Sequence, residues 1–235
     1  MATAEERREA LKTVWEQARG CVRCPQLAET RTQVVFGAGH ADADLMFVGE
    51  APGANEDRAG LPFVGQAGKL LEKLLQEIGL EREQVFIANV LKCRPPGNRD
   101  PQPSEIDNCQ GYLREQVELI EPRVICTLGN FATKLLRGDS TGITRLHGRP
   151  EVQVLGSRAV RLYPLFHPAA ALYTPSMLET LRADFSRLPE LLAQEPPSQP
   201  AAAPAAPAVP EPALEAAAPA EEEPEPRAAP QLGLF

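Results

Sequence analysis

Two sets of residues in this 235-residue chain have types and spacings that suit chemistry. The first is cysteine. Cys21 and Cys24 form a C-x2-C pair, Cys93 follows after 68 intervening residues, and Cys109 after 15 more. A C-x2-C loop turns both sulfurs toward one centre, which suits two ligands of a metal site. Cys93 in a loop and Cys109 near a helix start are placed to complete it. Thiolate donors alone leave tetrathiolate zinc and an iron–sulfur cluster both open, and four unrelated buried thiols are the plainer alternative. Cys126 sits inside Val124-Ile125-Cys126-Thr127-Leu128 and reads as a small buried hydrophobe. The second set is Glu50, Asn89 and His167, each at the end of a short apolar run. A carboxylate, an amide and an imidazole gathered in one place suit recognition and polarisation of a small heterocycle.

The elements that must gather them follow from the apolar pattern. Strands are expected at 44–49, 85–90, 123–128 and 161–166, the last preceded by a hairpin at 151–160. Helices are expected at 3–19, with Leu11, Val14 and Trp15 on one side, and at 66–78, stopped by Gly79. Further helices are expected at 105–120 with Ser104 as its cap, at 130–137 and at 176–193. Alternating strands and helices imply an α/β fold: a three-layer α/β/α body around a central, mostly parallel four-stranded sheet. Ligands of such sheets bind outside the carboxyl ends of the strands. Glu50, Asn89 and His167 all fall there.

Composition divides the chain. From Glu195 onward lie 11 of the 24 prolines, seven glutamates and a single basic residue, Arg227. Too little apolar bulk remains there to offset ordering entropy, so 195–230 is expected to be a disordered linker. This tail carries six of the eight net negative charges and leaves residues 1–194 at −2. An acidic total is therefore no argument against a polyanionic substrate for the body. No stretch is long and apolar enough to cross a bilayer, and residues 1–9 show no apolar signal core. A cytoplasmic location is the default expectation. Cysteines in such a reducing compartment suit metal or cluster ligation better than disulfides.

Taken in order, the motifs resemble those of family 4 uracil-DNA glycosylases, the iron–sulfur type found in bacteria and archaea. The likeness spans about residues 18–193. It rests on Cys21-x2-Cys24, Gly49-Glu50-Ala51-Pro52-Gly53 with Asn55-Glu56-Asp57, and Pro62-Phe63-Val64-Gly65. It continues through Asn89, Lys92-Cys93-Arg94-Pro95-Pro96, Cys109 and His167-Pro168-Ala169. The resemblance implies a uracil-DNA glycosylase-like body at 1–194 and a [4Fe–4S] cluster on Cys21, Cys24, Cys93 and Cys109. It implies hydrolysis of the N-glycosidic bond of uracil in DNA, leaving an abasic site that opens base-excision repair. No lysine matches a Schiff-base nucleophile of the family, so the enzyme is expected to be monofunctional.

Roles follow from what uracil presents. Uracil offers an N3–H donor beside an O4 acceptor, and cytosine the reverse. A carboxamide at Asn89 held in one orientation donates to O4 and accepts from N3–H. Phe63 supplies a flat apolar face for the flipped base. His167 donates to O2 as charge builds on the leaving base. Glu50 is a candidate to stabilise the oxocarbenium-like sugar, with Glu56 a second candidate. The neighbouring Ala51 stands where family 1 relatives carry a catalytic aspartate. Gly49 and Gly53 permit close backbone approach. Ordinary structural roles compete at each position: a turn residue at Asn89, core packing for Phe63, a backbone-satisfied ring for His167. His40 and His147 are assigned no more than that. Arg94, Arg99, Lys92, Arg145 and Arg149 are candidate phosphate contacts. Leu172 is a candidate wedge into the duplex.

The last five residues, Gln231-Leu232-Gly233-Leu234-Phe235, resemble the Q-L-x-L-F peptide by which bacterial replication and repair proteins bind the sliding clamp. Bulky apolar residues on a polar leash suit partner recruitment. The expected partners are uracil-containing DNA and, through Gln231, Leu232, Leu234 and Phe235, the clamp. A monomeric, nucleoid-associated protein follows. The rival from another class is a non-catalytic iron–sulfur or zinc module that tethers factors to DNA or the clamp. It leaves Asn89 and His167 without a purpose. A uracil-holding relative is disfavoured because 92–99 lacks the histidine-bearing insertion of that type.

Overall fold

The computed structural model describes residues 3–200. Its strands are β1 (Ala38–Gly39), β2 (Leu45–Gly49), β3 (Phe86–Asn89), β4 (Val124–Leu128), β5 (Glu151–Leu155) and β6 (Arg158–Leu165). The helices that position the site or cover the sheet are α1 (Ala4–Arg19), α2 (Pro25–Thr30), α3 (Ala54–Ala59), α4 (Gln66–Glu77), α5 (Pro103–Ile120) and α6 (Asn130–Arg137). They continue with α7 (Ile143–Leu146), α8 (Pro168–Ala171), α9 (Pro175–Phe185) and α10 (Leu188–Ala193).

The sheet runs β1-β3-β2-β4-β6-β5. Strands β3, β2, β4 and β6 are mutually parallel, the four-stranded core that the sequence implies. Two antiparallel edges extend it to six: β1 against β3, and β5 against β6. In β4, Ile125 packs with the α1 and α5 side chains Leu11, Val14, Leu113 and Val117. Val124, Cys126 and Leu128 face the opposite core with Leu71, Leu75, Leu181 and Phe185 of α4 and α9. A strand buried on both faces favours apolar side chains at every position, so β2 reads as an unbroken apolar run and β4 departs from one only at Thr127, whose hydroxyl is bonded to that of Thr133 at 2.7 Å. Cys126 is fully buried and its thiol is raised well above the usual range by that burial, an inert core residue.

Local chemistry shifts three expected boundaries. Ser104 does not cap α5. Pro103 occupies the first helical turn, and the cap is Gln102, reciprocally bonded with Glu105. The helix expected at 176–193 is two helices, because Pro189 has no N–H and its ring would meet the carbonyl of Phe185. The hairpin expected ahead of the last strand is made by that strand: β5 turns at Gly156-Ser157 straight into β6.

The expected linker lies outside the described residues from 201 onward, as does the whole of 231–235. Residues 195–199 stay on the body. Arg161 donates to the Glu195 carbonyl at 3.1 Å, and the Gln199 carboxamide bonds both the N–H (3.0 Å) and the carbonyl (2.9 Å) of Ala159. Among the described residues no helix is long and apolar enough to cross a membrane.

Candidate active site and four-cysteine site

A cavity of about 480 Å3 opens at the carboxyl ends of β2, β3 and β6. Glu50, Ala51, Gly53, Glu56, Phe63, Asn89 and His167 all line it, so residues up to 117 positions apart in the chain converge as expected. Pro95, Asn98, Arg99, Ala67 and Ala169 complete the wall.

The parallel register sets Asn89 beside Gly49. A Cβ at Gly49 would lie 2.4 Å from Asn89 Oδ1 and 2.9 Å from Phe63 Cζ, so only glycine lets the amide and the aromatic ring share this floor. Phe63 holds its backbone in the left-handed region (φ 52°), a conformation that a bulky residue keeps only when its surroundings impose it. Three groups impose it. Arg82 donates to the carbonyls of Phe63 (3.1 Å) and Pro62. Glu56 Oε1 accepts the N–H groups of Val64 (3.0 Å) and Gly65 (2.9 Å). Gly68 comes so close that a Cβ there would lie 1.8 Å from the Phe63 carbonyl oxygen. Glu56 thus spends one oxygen on fixing the aromatic loop.

The His167 ring stacks on Phe63, with centroids 5.6 Å apart and planes inclined by 27°. Its Nδ1 accepts the Ala169 N–H at 3.1 Å, where the chain enters α8. That bond assigns the ring hydrogen to Nε2. Part of the ring faces the cavity, yet its surroundings are crowded. Burial pulls its pKa from the ordinary 6.5 to about 4, opposed by the Glu56 carboxylate, so the imidazole is neutral at pH 7. Between about pH 6.5 and 4 the unfolded chain binds a proton here that the folded chain does not. Stability is therefore full above pH 6.5 and declines as pH falls through this window. The melting temperature of wild type should drop more steeply across the window than that of His167→Gln; parallel curves would refute the neutral assignment.

Glu50 faces two spaces. It lines the main cavity and a neighbouring one of about 620 Å3 bordered by Asp100, Asn130, Phe131 and Lys134. Burial raises its pKa, and the Asp100 carboxylate adds to that. Ala51 lines the main cavity without a polar side chain.

The candidate phosphate contacts fare unequally. Lys92 is corrected: its side chain is 1% exposed and points into the core, so it touches no phosphate. Its Nζ donates to the Asn89 carbonyl at 2.8 Å and to Gln116 Oε1 at 2.6 Å. In sequence it is one more basic residue of the Lys92–Arg99 loop, and its real partners lie on β3 and α5. Arg99 borders the cavity with both guanidinium nitrogens on Glu105, at 2.9 and 2.5 Å. Arg94 Nε bonds Asn98 Oδ1 at 2.7 Å on the same loop. Arg145 and Arg149 do not line the cavity. Leu172 is half-buried, while the next residue, Tyr173, is 89% exposed on the loop that leaves α8. Sequence reading passed over Tyr173; a bulky aromatic in the short turn between the histidine motif and Pro175 is the signal. His147 is satisfied structurally by Asp184 Oδ2 at 2.9 Å.

Cys21, Cys24, Cys93 and Cys109 line one small cavity with Arg31, Asn108 and Tyr112. Among the described residues no group of three or more His, Cys, Asp or Glu is drawn together as ligands of a single metal ion. The four sulfurs instead ring a shared space. Each receives at least one donor: Arg23 on Cys21 (3.4 Å), Asn108 on Cys24 (3.6 Å), Arg31 on Cys93 (3.3 Å) and the Lys92 backbone N–H on Cys109 (3.2 Å). Burial pushes the Cys93 thiol up to about 11 against the pull of Arg31, and raises Cys109 against Lys92. Cys21 is pushed up by burial but ends below its usual range, because the Arg23 and Tyr112 hydrogen bonds outweigh it. Four soft donors with N–H groups aimed at each sulfur fit a thiolate-ligated centre.

Residues 36–190 match the uracil DNA glycosylase superfamily. The chain is 46% identical over 188 residues to the type-4 uracil-DNA glycosylase of Sulfurisphaera tokodaii, covering 78% of this chain and 85% of that protein. It is 46% identical over 164 residues to the type-4 enzyme of Thermotoga maritima, covering 69% and 83%. Against a type-5 uracil-DNA glycosylase of Pyrobaculum aerophilum the identity is 30% over 205 residues, covering 73% and 86%.

Proposed function

Since the chain belongs to the family 4 uracil-DNA glycosylases, we propose that it hydrolyses the N-glycosidic bond of uracil in DNA as a monofunctional, monomeric repair enzyme. The observation that carries this reading is the meeting of the Asn89 amide, the Phe63 ring and the neutral His167 imidazole in one cavity. The flipped base lies against Phe63, and Asn89 pairs with N3–H and O4. His167 donates from Nε2 to O2 as the C1′–N1 bond breaks and its electron pair moves onto the ring. Water then bonds C1′ through its oxygen and loses a proton, and the departing uracil anion gains one, so that neutral uracil and the abasic sugar are released. Glu50, on the wall between the two spaces, faces the positive sugar. Glu56 acts through the aromatic loop it holds. Arg94 and Arg99 border the DNA path, and Leu172 with Tyr173 forms the wedge that fills the gap in the stack.

Cys21, Cys24, Cys93 and Cys109 would hold a [4Fe–4S] cluster. Bound there, it supplies a cross-link that closes the 68-residue separation between Cys24 and Cys93 and so contributes folding free energy. The C-terminal Gln231, Leu232, Leu234 and Phe235 recruit the sliding clamp and place the enzyme on nucleoid DNA in the cytoplasm.

The deciding experiment is release of free uracil from a single-uracil oligonucleotide, single-stranded and duplex, by protein of known iron content. Release without strand cleavage supports the reading. No release from iron-loaded protein overturns it in favour of a DNA- or clamp-binding module. Leu172→Ala and Tyr173→Ala should lose duplex activity selectively; equal losses on both substrates would remove the wedge. Deletion of 231–235 should abolish clamp binding yet leave oligonucleotide activity intact, and an unchanged clamp affinity would refute recruitment.

A further inference from the structure

The chain buries a lysine between its two chemical sites. Asn89 ends β3, and the edge strand β1 pairs only with Phe86 and Ile87. Toward β2 the ladder is continued by the Val90 N–H on the Gly49 carbonyl at 2.9 Å, so Asn89, one residue earlier, turns its carbonyl to the side where β1 stops short, although the residue is 2% exposed. A buried carbonyl without a partner is costly. Lys92 supplies that partner from the loop itself: its Nζ donates to the Asn89 carbonyl at 2.8 Å. The ammonium is held from the other side by Gln116 Oε1 at 2.6 Å, and lies 5.7 Å from the centre of the Phe36 ring. Gln116 is itself fixed, donating to the Phe36 carbonyl at 2.9 Å.

The backbone of the same residue faces the cysteines. The Lys92 N–H donates to Cys109 Sγ at 3.2 Å, and the next residue is Cys93. One residue thus touches the strand end that carries the amide and one cysteine of the four, and is bonded covalently to another.

We propose that Lys92 is a positioning residue that ties the four-cysteine site to the amide of Asn89, so that ordering of the cysteines sets the aim of base recognition. This rests on the reading of Asn89 as the uracil-reading group. Fixing the carbonyl of a residue fixes the peptide plane from which its side chain departs. An amide that must donate to one atom and accept from its neighbour tolerates little rotation. A methionine fills the same volume and supplies no donor.

Lys92→Met and Gln116→Met test this. The measurements are iron per chain, thermal unfolding, affinity for free uracil and for undamaged duplex, and kcat and KM for uracil release. Lys92→Met should keep its iron and its affinity for undamaged duplex. It should lose about 10- to 100-fold in free-uracil affinity per iron-loaded chain and a similar factor in kcat/KM, the range seen when groups supporting a site are removed. Gln116→Met should shift the same quantities in the same direction by a smaller factor, and it decides the matter if Lys92→Met does not fold. A folded variant whose iron-loaded fraction binds and releases uracil like wild type overturns the proposal. So does one whose loss of activity merely follows its loss of iron. An inactive wild type overturns the uracil reading itself, and this inference with it, whereas an active wild type beside an unaffected variant overturns the inference alone.

Discussion

Asn89→Ala should lower uracil release by at least about a thousandfold while leaving the protein folded. Sites built to hydrogen-bond a substrate reject a mismatch steeply because the penalty is unpaired polar groups in a buried place. Here alanine would leave the N3–H and O4 of uracil facing the Phe63 ring and the Gly49 backbone. Asn89→Asp sharpens the test. A carboxylate accepts and does not donate, so it repels O4 of uracil and suits the amino group of cytosine. Discrimination between uracil and cytosine should shrink or invert, read as base release from matched oligonucleotides carrying either base. If Asn89→Ala retains more than a tenth of wild-type activity, the amide is not the reader.

Gly49→Ala should be the next most damaging change, although it removes no functional group. The added methyl would sit 2.4 Å from Asn89 Oδ1 and 2.9 Å from Phe63 Cζ. Either the amide rotates or the ring leaves its stack on His167, and displacements of this size at a reacting centre cost about a hundredfold. Stability should fall by about 1–3 kcal/mol, the usual range for overpacking. The checks are kcat/KM on a uracil oligonucleotide and the melting temperature. Undiminished kcat/KM would mean that the two side chains are free to move without consequence, which contradicts the pocket described above.

These residues were legible for a physical reason. An apolar run ending in a turn residue marks the carboxyl end of a buried strand, and α/β sheets collect their ligands at those ends. That placed Glu50, Asn89 and His167 at one end of the sheet, and the motifs around them supplied their roles. What the sequence hid is what depends on distant partners. Lys92 sits among arginines and reads as one more phosphate contact until Gln116, on another element, shows where it points. Glu56 reads as a second candidate to face the sugar, and nothing in its spacing shows that one of its oxygens also holds the backbone of Val64 and Gly65. Arg82 carries no motif at all, yet it holds the loop that presents Phe63. The edge strand β1 is two residues long and sets up no periodicity. Side chains that work by holding backbone leave no spacing signature, because their partners are ordinary peptide groups.

The Gln199 carboxamide bears on how the protein behaves in a tube. Parallel pairing of β6 with β4 begins at Arg161, so the start of β6 presents bare peptide groups at Ala159. Such an edge is a template for another chain to pair against, and natural sheets blunt it. Gln199 does so with a side chain that mimics a peptide, donor and acceptor together. A chain ended at residue 194, where composition changes, would uncover this edge and be prone to self-association and loss from solution. One ended at residue 200 would keep its plug and stay dispersed.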